Sequence, residues 1–191
     1  MLGKEIIGGL ATLLGTGSCL IYLWQIFKRT TKPHVFSWFI WGILSLIGFL
    51  AQYAAKAGPG SWAVGASSLF CFVIAFTGLF YGEKAITRGD WVCFIFSLSS
   101  IPVWLATSNP LWAVVIVSAI DAVAFYPTVR KSWFSPQEEG MTTFFIYGLQ
   151  MFLALAALES YTLTTVLYPA TIFVLNMGLT FMLFYRRRIL A

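Results

Sequence analysis

The chain has 191 residues, 59% of them hydrophobic and 10% charged, with a mean hydropathy of +0.83. So few charges, gathered into short segments, leave too little polar surface to cover a soluble domain. The net charge of +5 would suit a nucleic-acid partner, but the basic residues sit where membrane topology explains them, and no nucleic-acid partner is expected.

Apolar runs at roughly 5–27, 35–54, 61–81, 91–107, 111–127, 141–158 and 162–184 predict seven transmembrane helices. Each run approaches the length needed to cross a hydrocarbon core of about 30 Å at about 1.5 Å per residue. The connectors are too short to hold a folded soluble domain. The expected class is therefore all-α, a polytopic membrane protein in one transmembrane domain over 1–191.

The first run ends on Lys28-Arg29 rather than on a small-residue cleavage site, so it reads as a retained helix and not a signal peptide. Its small residues Gly8, Ala11, Gly15 and Ser18 form a stripe for close helix contact, within the chain or across a homo-oligomer. With the N-terminus outside, the inner connectors and the tail hold ten of the twelve basic residues, and only Lys4 and Lys56 fall outside. That asymmetry predicts an N-out, C-in orientation, with the basic ends attracted to anionic head groups of the lipid bilayer. The minimal loops suit a bacterial cytoplasmic (inner) membrane.

The corner between the first two runs recurs later. Trp24-Gln25-Ile26-Phe27-Lys28 aligns with Pro127-Thr128-Val129-Arg130-Lys131 at an offset of 103, and Pro33 then falls on Pro136. After a three-residue insertion the offset is 106, which sets Phe39-Ile40-Trp41-Gly42 on Phe145-Ile146-Tyr147-Gly148. At offset 110, Pro59-Gly60-Ser61 meets Pro169-Ala170-Thr171, read as the openings of helices three and seven. Two three-helix repeats, 1–81 and 111–191, then run in the same sense around a linker-helix region at 82–110. Parallel repeats of this kind are a transporter plan with the binding site between the halves.

A helix ending in apolar-Pro-polar-apolar-x-Lys, then a polar turn and a new helix, resembles the PQ-loop superfamily of SWEET and SemiSWEET sugar transporters and cystinosin-like carriers. The resemblance implies the 3+1+3 arrangement. Tyr126-Pro127-Thr128-Val129-Arg130-Lys131-Ser132 fits this motif with Thr128 in place of Gln, whereas the first copy keeps Gln25 with Trp24 where Pro is expected. Leu175-Asn176-Met177-Gly178 resembles the final helix of that family, whose Asn binds substrate; its mate is absent from Val64-Gly65-Ala66-Ser67-Ser68.

Asp121 is the only ionisable residue well inside an apolar run. A carboxylate there costs several kcal/mol unless it is paired, hydrated or protonated, which marks an ion or substrate pathway and a candidate for proton coupling. The competing reading is a hydrogen-bonded Asp that only joins helices. Its repeat mate is Ser18. Pro127, near the inner end of helix five, is a hinge candidate because it removes a backbone donor; Pro33, Pro59, Pro136 and Pro169 read as turns or helix starts, and Pro102 lies in the linker. Asn176, Asp121 and Gln150 are the principal substrate-binding candidates, with Ser45 nearby and Ser18, Ser67 and Ser68 as further polar groups. Trp41 and its mate Tyr147 are the stacking candidates, while Trp62, Trp91, Trp112 and Trp133 suit an interfacial belt. Cys19, Cys71 and Cys93 read as packing residues, and His34, the sole histidine, gives no metal cluster.

The expected function is a membrane transporter of a small polar metabolite, a sugar or similar, by alternating access between the halves, without a cofactor. The alternative is a receptor or sorting module of the same fold that binds its ligand without net transport. A retinal protein is excluded because helix seven holds no Lys. An intramembrane enzyme lacks the clustered Asp, Glu, His or Ser–Lys pairs it needs.

Overall fold

The computed structural model describes residues 2–99, 102, 106 and 109–190. These residues form helices and connecting turns, with no strand among them. In chain order the helices are α1 (Leu2–Phe27), α2 (Val35–Ala54), α3 (Trp62–Tyr81), α4 (Arg88–Leu98), α5 (Pro110–Ala124), α6 (Tyr126–Phe134), α7 (Met141–Ala156) and α8 (Leu163–Ile189). Single 3-10 turns at Gly58–Ser61 and Pro136–Glu138 precede α3 and α7.

Five segments are long and apolar enough to cross a membrane: Leu2–Phe27, Val35–Ala54, Gly58–Tyr81, Pro110–Phe134 and Leu163–Ile189. The chain is thus an all-helical protein of integral-membrane character. Helix α7 is apolar but has 16 residues, about 24 Å at 1.5 Å each. Part of the fourth predicted span, at 100–101, 103–105 and 107, lies outside the described residues, as does 108 beyond it.

Local chemistry sets several boundaries. Thr87 accepts from the Asp90 amide and the Asp90 carboxylate accepts from the Thr87 amide, a capping box that opens α4. Thr162 and Thr165 do the same for α8. This cap starts α8 well before Pro169, which therefore lies buried inside the helix instead of marking its start. Lys56 and Gly58 both take positive φ, 55° and 66°, to turn the chain from α2 into α3. A Cβ on Gly58 would meet the Glu159 carboxyl at 2.6 Å, so this turn needs glycine on both counts.

The long helices close into a ring. α3 packs between α1 and α2, α8 packs between α5 and α7, and the two triplets meet through α2 against α5 and α1 against α7. α4 lies against α5, α2 and α6. The small-residue stripe of α1 is spent inside the chain: a Cβ on Gly8 would strike the Pro59 carbonyl and one on Gly15 the Gln150 amide, while Ser18 donates to the Thr143 carbonyl at 3.4 Å.

Connectors cross-link both ends of the ring. At one end Lys32 N–H donates to the Glu138 carbonyl at 3.1 Å. At the other, Glu159 N–H donates to the Ala57 carbonyl at 3.1 Å, and Lys4 donates to the Leu158 carbonyl. The first of these ends, termed the basic end here, gathers Lys131, Arg130 and Arg187 as well.

Candidate functional site

Inside the ring is a cavity with about 40 Å³ of space for water centres, enough for a few waters. All five long helices other than α1, which packs behind them, reach its wall. α2 contributes Trp38, Trp41 and Ser45, and α7 contributes Phe144, Tyr147 and Met151. These are the i, i+3 and i+7 positions of one helical face, and each α2 residue lies 106 positions before its α7 counterpart. α3 adds Val64, Ser67 and Cys71, α5 adds Asp121 and Phe125, and α8 adds Ile172 and Asn176.

Five of the six substrate-binding candidates named from the sequence, Asn176, Asp121, Trp41, Tyr147 and Ser45, therefore share one cavity. The sixth, Gln150, does not line it. Its amide donates to the Ala63 carbonyl at 3.1 Å and to Ser67 Oγ at 3.0 Å, so it fixes Ser67 from behind and ties α7 to α3. Ser18 and Ser68 likewise bond to backbone carbonyls, of Thr143 and Gly42.

The polar lining divides into engaged and unengaged groups. Ser45 Oγ lies 3.1 Å from the Tyr168 hydroxyl, and Asn176 Nδ2 donates back to the Ile172 carbonyl of its own helix at 2.8 Å. By contrast, Trp38 Nε1, Trp41 Nε1, Tyr147 OH and Asp121 Oδ2 are buried without a hydrogen-bond partner among the described residues. A buried polar group left unpaired costs about 1–3 kcal/mol, more when charged, so four around one cavity are a concentrated cost. Asp121 is 1% exposed, and among the described residues neither a Lys, an Arg nor a His lines the cavity.

Aromatic rings wall the same space. Trp38 and Trp41 stand nearly perpendicular, at 81° with centroids 5.1 Å apart. Phe125 lies 4.6 Å from Trp41, Phe144 6.1 Å from Trp38, and Tyr147 6.3 Å from Trp38. Phe125 and Phe144 are not singled out by the sequence, and Trp38, three residues from Trp41 on the same helical face, is not chosen as a stacking candidate, although the 106-residue offset that pairs Trp41 with Tyr147 also pairs Trp38 with Phe144.

The hinge candidates separate. The helix breaks at Phe125, between α5 and α6, and buried Pro127 is the second residue of α6. Ser37 Oγ of α2 donates to the Ala124 carbonyl beside this break at 3.0 Å, a link between the two triplets. Thr128 is buried with its hydroxyl unpartnered. At Trp24, the other hinge candidate, α1 runs unbroken and holds no proline to remove a donor; the residue is 62% exposed and does not line the cavity. Gln25 closes the α1–α2 turn, its backbone carbonyl accepting from Thr30 and its side chain from Thr31 Oγ1 at 3.3 Å.

Towards the basic end the cavity is capped by a polar knot. Tyr22, whose ring packs 4.9 Å from Trp38, donates to Glu139 Oε1 at 2.5 Å. Lys131, 3% exposed, donates to Glu139 Oε2 at 3.1 Å and to the carbonyls of Lys32 and Glu138 at 2.6 and 2.7 Å. Nearby, buried Asp90 accepts two bonds from Arg130, at 3.1 and 2.8 Å, and lies 3.5 Å from His34 Nε2. Burial would raise the Asp90 carboxyl, but Arg130 and Thr87 outweigh it and hold it below its ordinary range. Burial lowers the His34 imidazole, with Asp90 opposing and Arg130 and Lys131 reinforcing the shift. The sequence assigned these basic residues to topology alone; Lys131 finds Glu139 eight residues on, across the α6–α7 turn, and Arg130 finds Asp90 forty residues before it. No protein-family model, curated protein or solved structure matches this chain.

Proposed function

We propose that this protein is a membrane carrier that moves a small polar metabolite by alternating access between two parallel three-helix halves, in a 3+1+3 plan resembling the PQ-loop superfamily, N-out and C-in. The observation that carries the reading is the central cavity, to which both triplets contribute and where four buried polar atoms lack partners. Such a cavity is costly for packing alone and useful for a ligand that enters, binds and leaves.

Three further features support the repeat. The helix ring maps onto itself when α1, α2 and α3 are exchanged with α5, α7 and α8. Equivalent connectors meet at each end through one backbone bond, Lys32 to Glu138 and Glu159 to Ala57. The cavity faces of α2 and α7 keep one offset through three successive positions. On this plan the Tyr22–Glu139–Lys131 knot is the inner closure and the Phe125–Pro127 break the segment that bends when it opens.

Asp121 supplies the proton-coupling candidate, and its mate Ser18 packs against α7 outside the cavity, so any coupling belongs to one half. The test is a screen of purified protein for thermal stabilisation by sugars, amino acids, amines and vitamins, followed by liposome flux of each hit at pH 5.5 and 7.5. The carrier reading expects a hit lost in Asn176→Ala and a flux whose pH dependence flattens in Asp121→Asn. Binding that Asn176→Ala leaves untouched would move the site out of this cavity. Binding without flux would favour the receptor or sorting module.

A further inference from the structure

Resting on the carrier reading, we propose that the cavity selects a small organic cation, an alkylammonium bearing a hydroxyl rather than a carboxylate. Charge comes first. Among the described residues Asp121 is the one carboxylate in the wall, and no cationic side chain lines it. An anionic ligand group would therefore meet no counter-ion and, whenever Asp121 is ionised, a like charge, which disfavours organic acids, phosphates and the carboxylate of an amino acid. A ligand cation instead supplies the opposite charge that a buried Asp requires.

The aromatic wall points the same way. Two perpendicular indoles, with Phe125, Phe144 and Tyr147 around them, put ring faces on several sides of the space that Asp121 Oδ2 borders. Faces of this kind attract a weakly hydrated ammonium through the ring quadrupole, most strongly where water is excluded. A bare metal cation is a poorer match, because hard cations want six or more oxygen ligands and this wall offers few. A sugar would need many hydroxyl partners, whereas Ser45, Ser67 and Asn176 each already spend one bond on Tyr168, Gln150 and Ile172 and keep only their remaining capacity for a ligand.

The two indole N–H groups complete the assignment. They are donors without acceptors, and a simple ammonium would leave them so. A hydroxyl oxygen on the ligand accepts from one of them while the ammonium faces Asp121. The size of the cavity limits the ligand to a handful of heavy atoms unless side chains yield.

The experiment is equilibrium binding to purified protein in detergent, read by intrinsic tryptophan fluorescence, since Trp38 and Trp41 border the site. The probes are choline and ethanolamine as hydroxylated cations, 3,3-dimethylbutanol as the neutral isostere of choline, and glycine betaine as its carboxylated counterpart. Choline or ethanolamine should bind saturably, with the neutral isostere and the betaine weaker by about tenfold or more, as loss of a desolvated cation–π and charge contact implies. Asp121→Asn should abolish the preference for the cation over its neutral isostere. Equal binding of cation and isostere by the unaltered protein, a preference for the betaine, or no saturable response to any cation would each overturn the proposal. The carrier reading fails separately: cation-selective binding with no liposome flux refutes transport and leaves the cation site standing. Flux of a sugar or an anion with no cation binding does the reverse.

Discussion

Replacing Lys131 by Met is the sharpest perturbation of the polar knot at the basic end. The ammonium is almost wholly buried and makes three charge-assisted bonds, to Glu139 and to the carbonyls of Lys32 and Glu138, that join α6, the α1–α2 turn and the entry to α7. Methionine keeps most of the stem's packing and removes the charge together with its three donated bonds. The Glu139 carboxylate, 1% exposed, is then left with bonds from Tyr22 and a backbone amide but no bonded cation, Arg187 reaching only its backbone carbonyl. Breaking a buried pair from one side costs about 3–5 kcal/mol, most of it the unpaired partner. At about 2–4 °C per kcal/mol for a chain of this size, the melting temperature in detergent should fall by about 6 to 20 °C. Lys131→Met with Glu139→Gln should recover a large part of the loss, because no bare charge remains. A single variant melting within about 2 °C of the parent, or a double variant no better than the single, would refute this reasoning.

Other consequences follow from the same contacts. The His34 imidazole titrates below its ordinary range in the fold, so it supports stability above its unfolded pKa of about 6.5 and withdraws that support as pH falls towards 5. His34→Gln should therefore flatten the melting curve between pH 7 and pH 5, whereas Asp90, held low by Arg130, matters only below about pH 4; parallel curves for variant and parent would dismiss His34 as the cause. Gly8→Ala drives a Cβ to 2.6 Å from the Pro59 carbonyl, a backbone obstacle, and should cost about 1–3 kcal/mol. Gly148→Ala meets mainly the mobile tip of Met177 and should stay within about 1 kcal/mol of neutral, a contrast that paired melts would check. Pro127→Ala restores a donor at the break and should slow flux several-fold while leaving ligand affinity unchanged; an unchanged flux would remove Pro127 from gating.

Helix boundaries were the most legible feature, because hydropathy in a membrane protein tracks a fixed thickness. The reading 35–54 coincides with α2, and 61–81 differs from α3 by one residue. The fifth run was legible as apolar and as kinked, since Pro127 announces the break, but its continuation as α6 to Phe134 was not, because polar Arg130, Lys131 and Ser132 look like a loop. Cavity residues were legible where chemistry is unusual for lipid: Asp121 and Asn176 stand out on charge and amide alone. Gln150 carries the same signal and spends it on Ala63 and Ser67, a choice set by the neighbouring helix that no local pattern reveals. Trp38 and Trp24 are indistinguishable by composition. Only the ring of helices makes one a wall of the cavity and the other an exposed face.

Counterflow in liposomes holding the purified protein tests the carrier most directly. Vesicles loaded with an unlabelled hydroxylated alkylammonium should draw in the labelled compound transiently above equilibrium. That overshoot should be saturable and absent from Asn176→Ala protein that still melts cooperatively. Saturable binding by detergent-solubilised protein, with no overshoot at either pH, would contradict a carrier and leave a membrane receptor in its place.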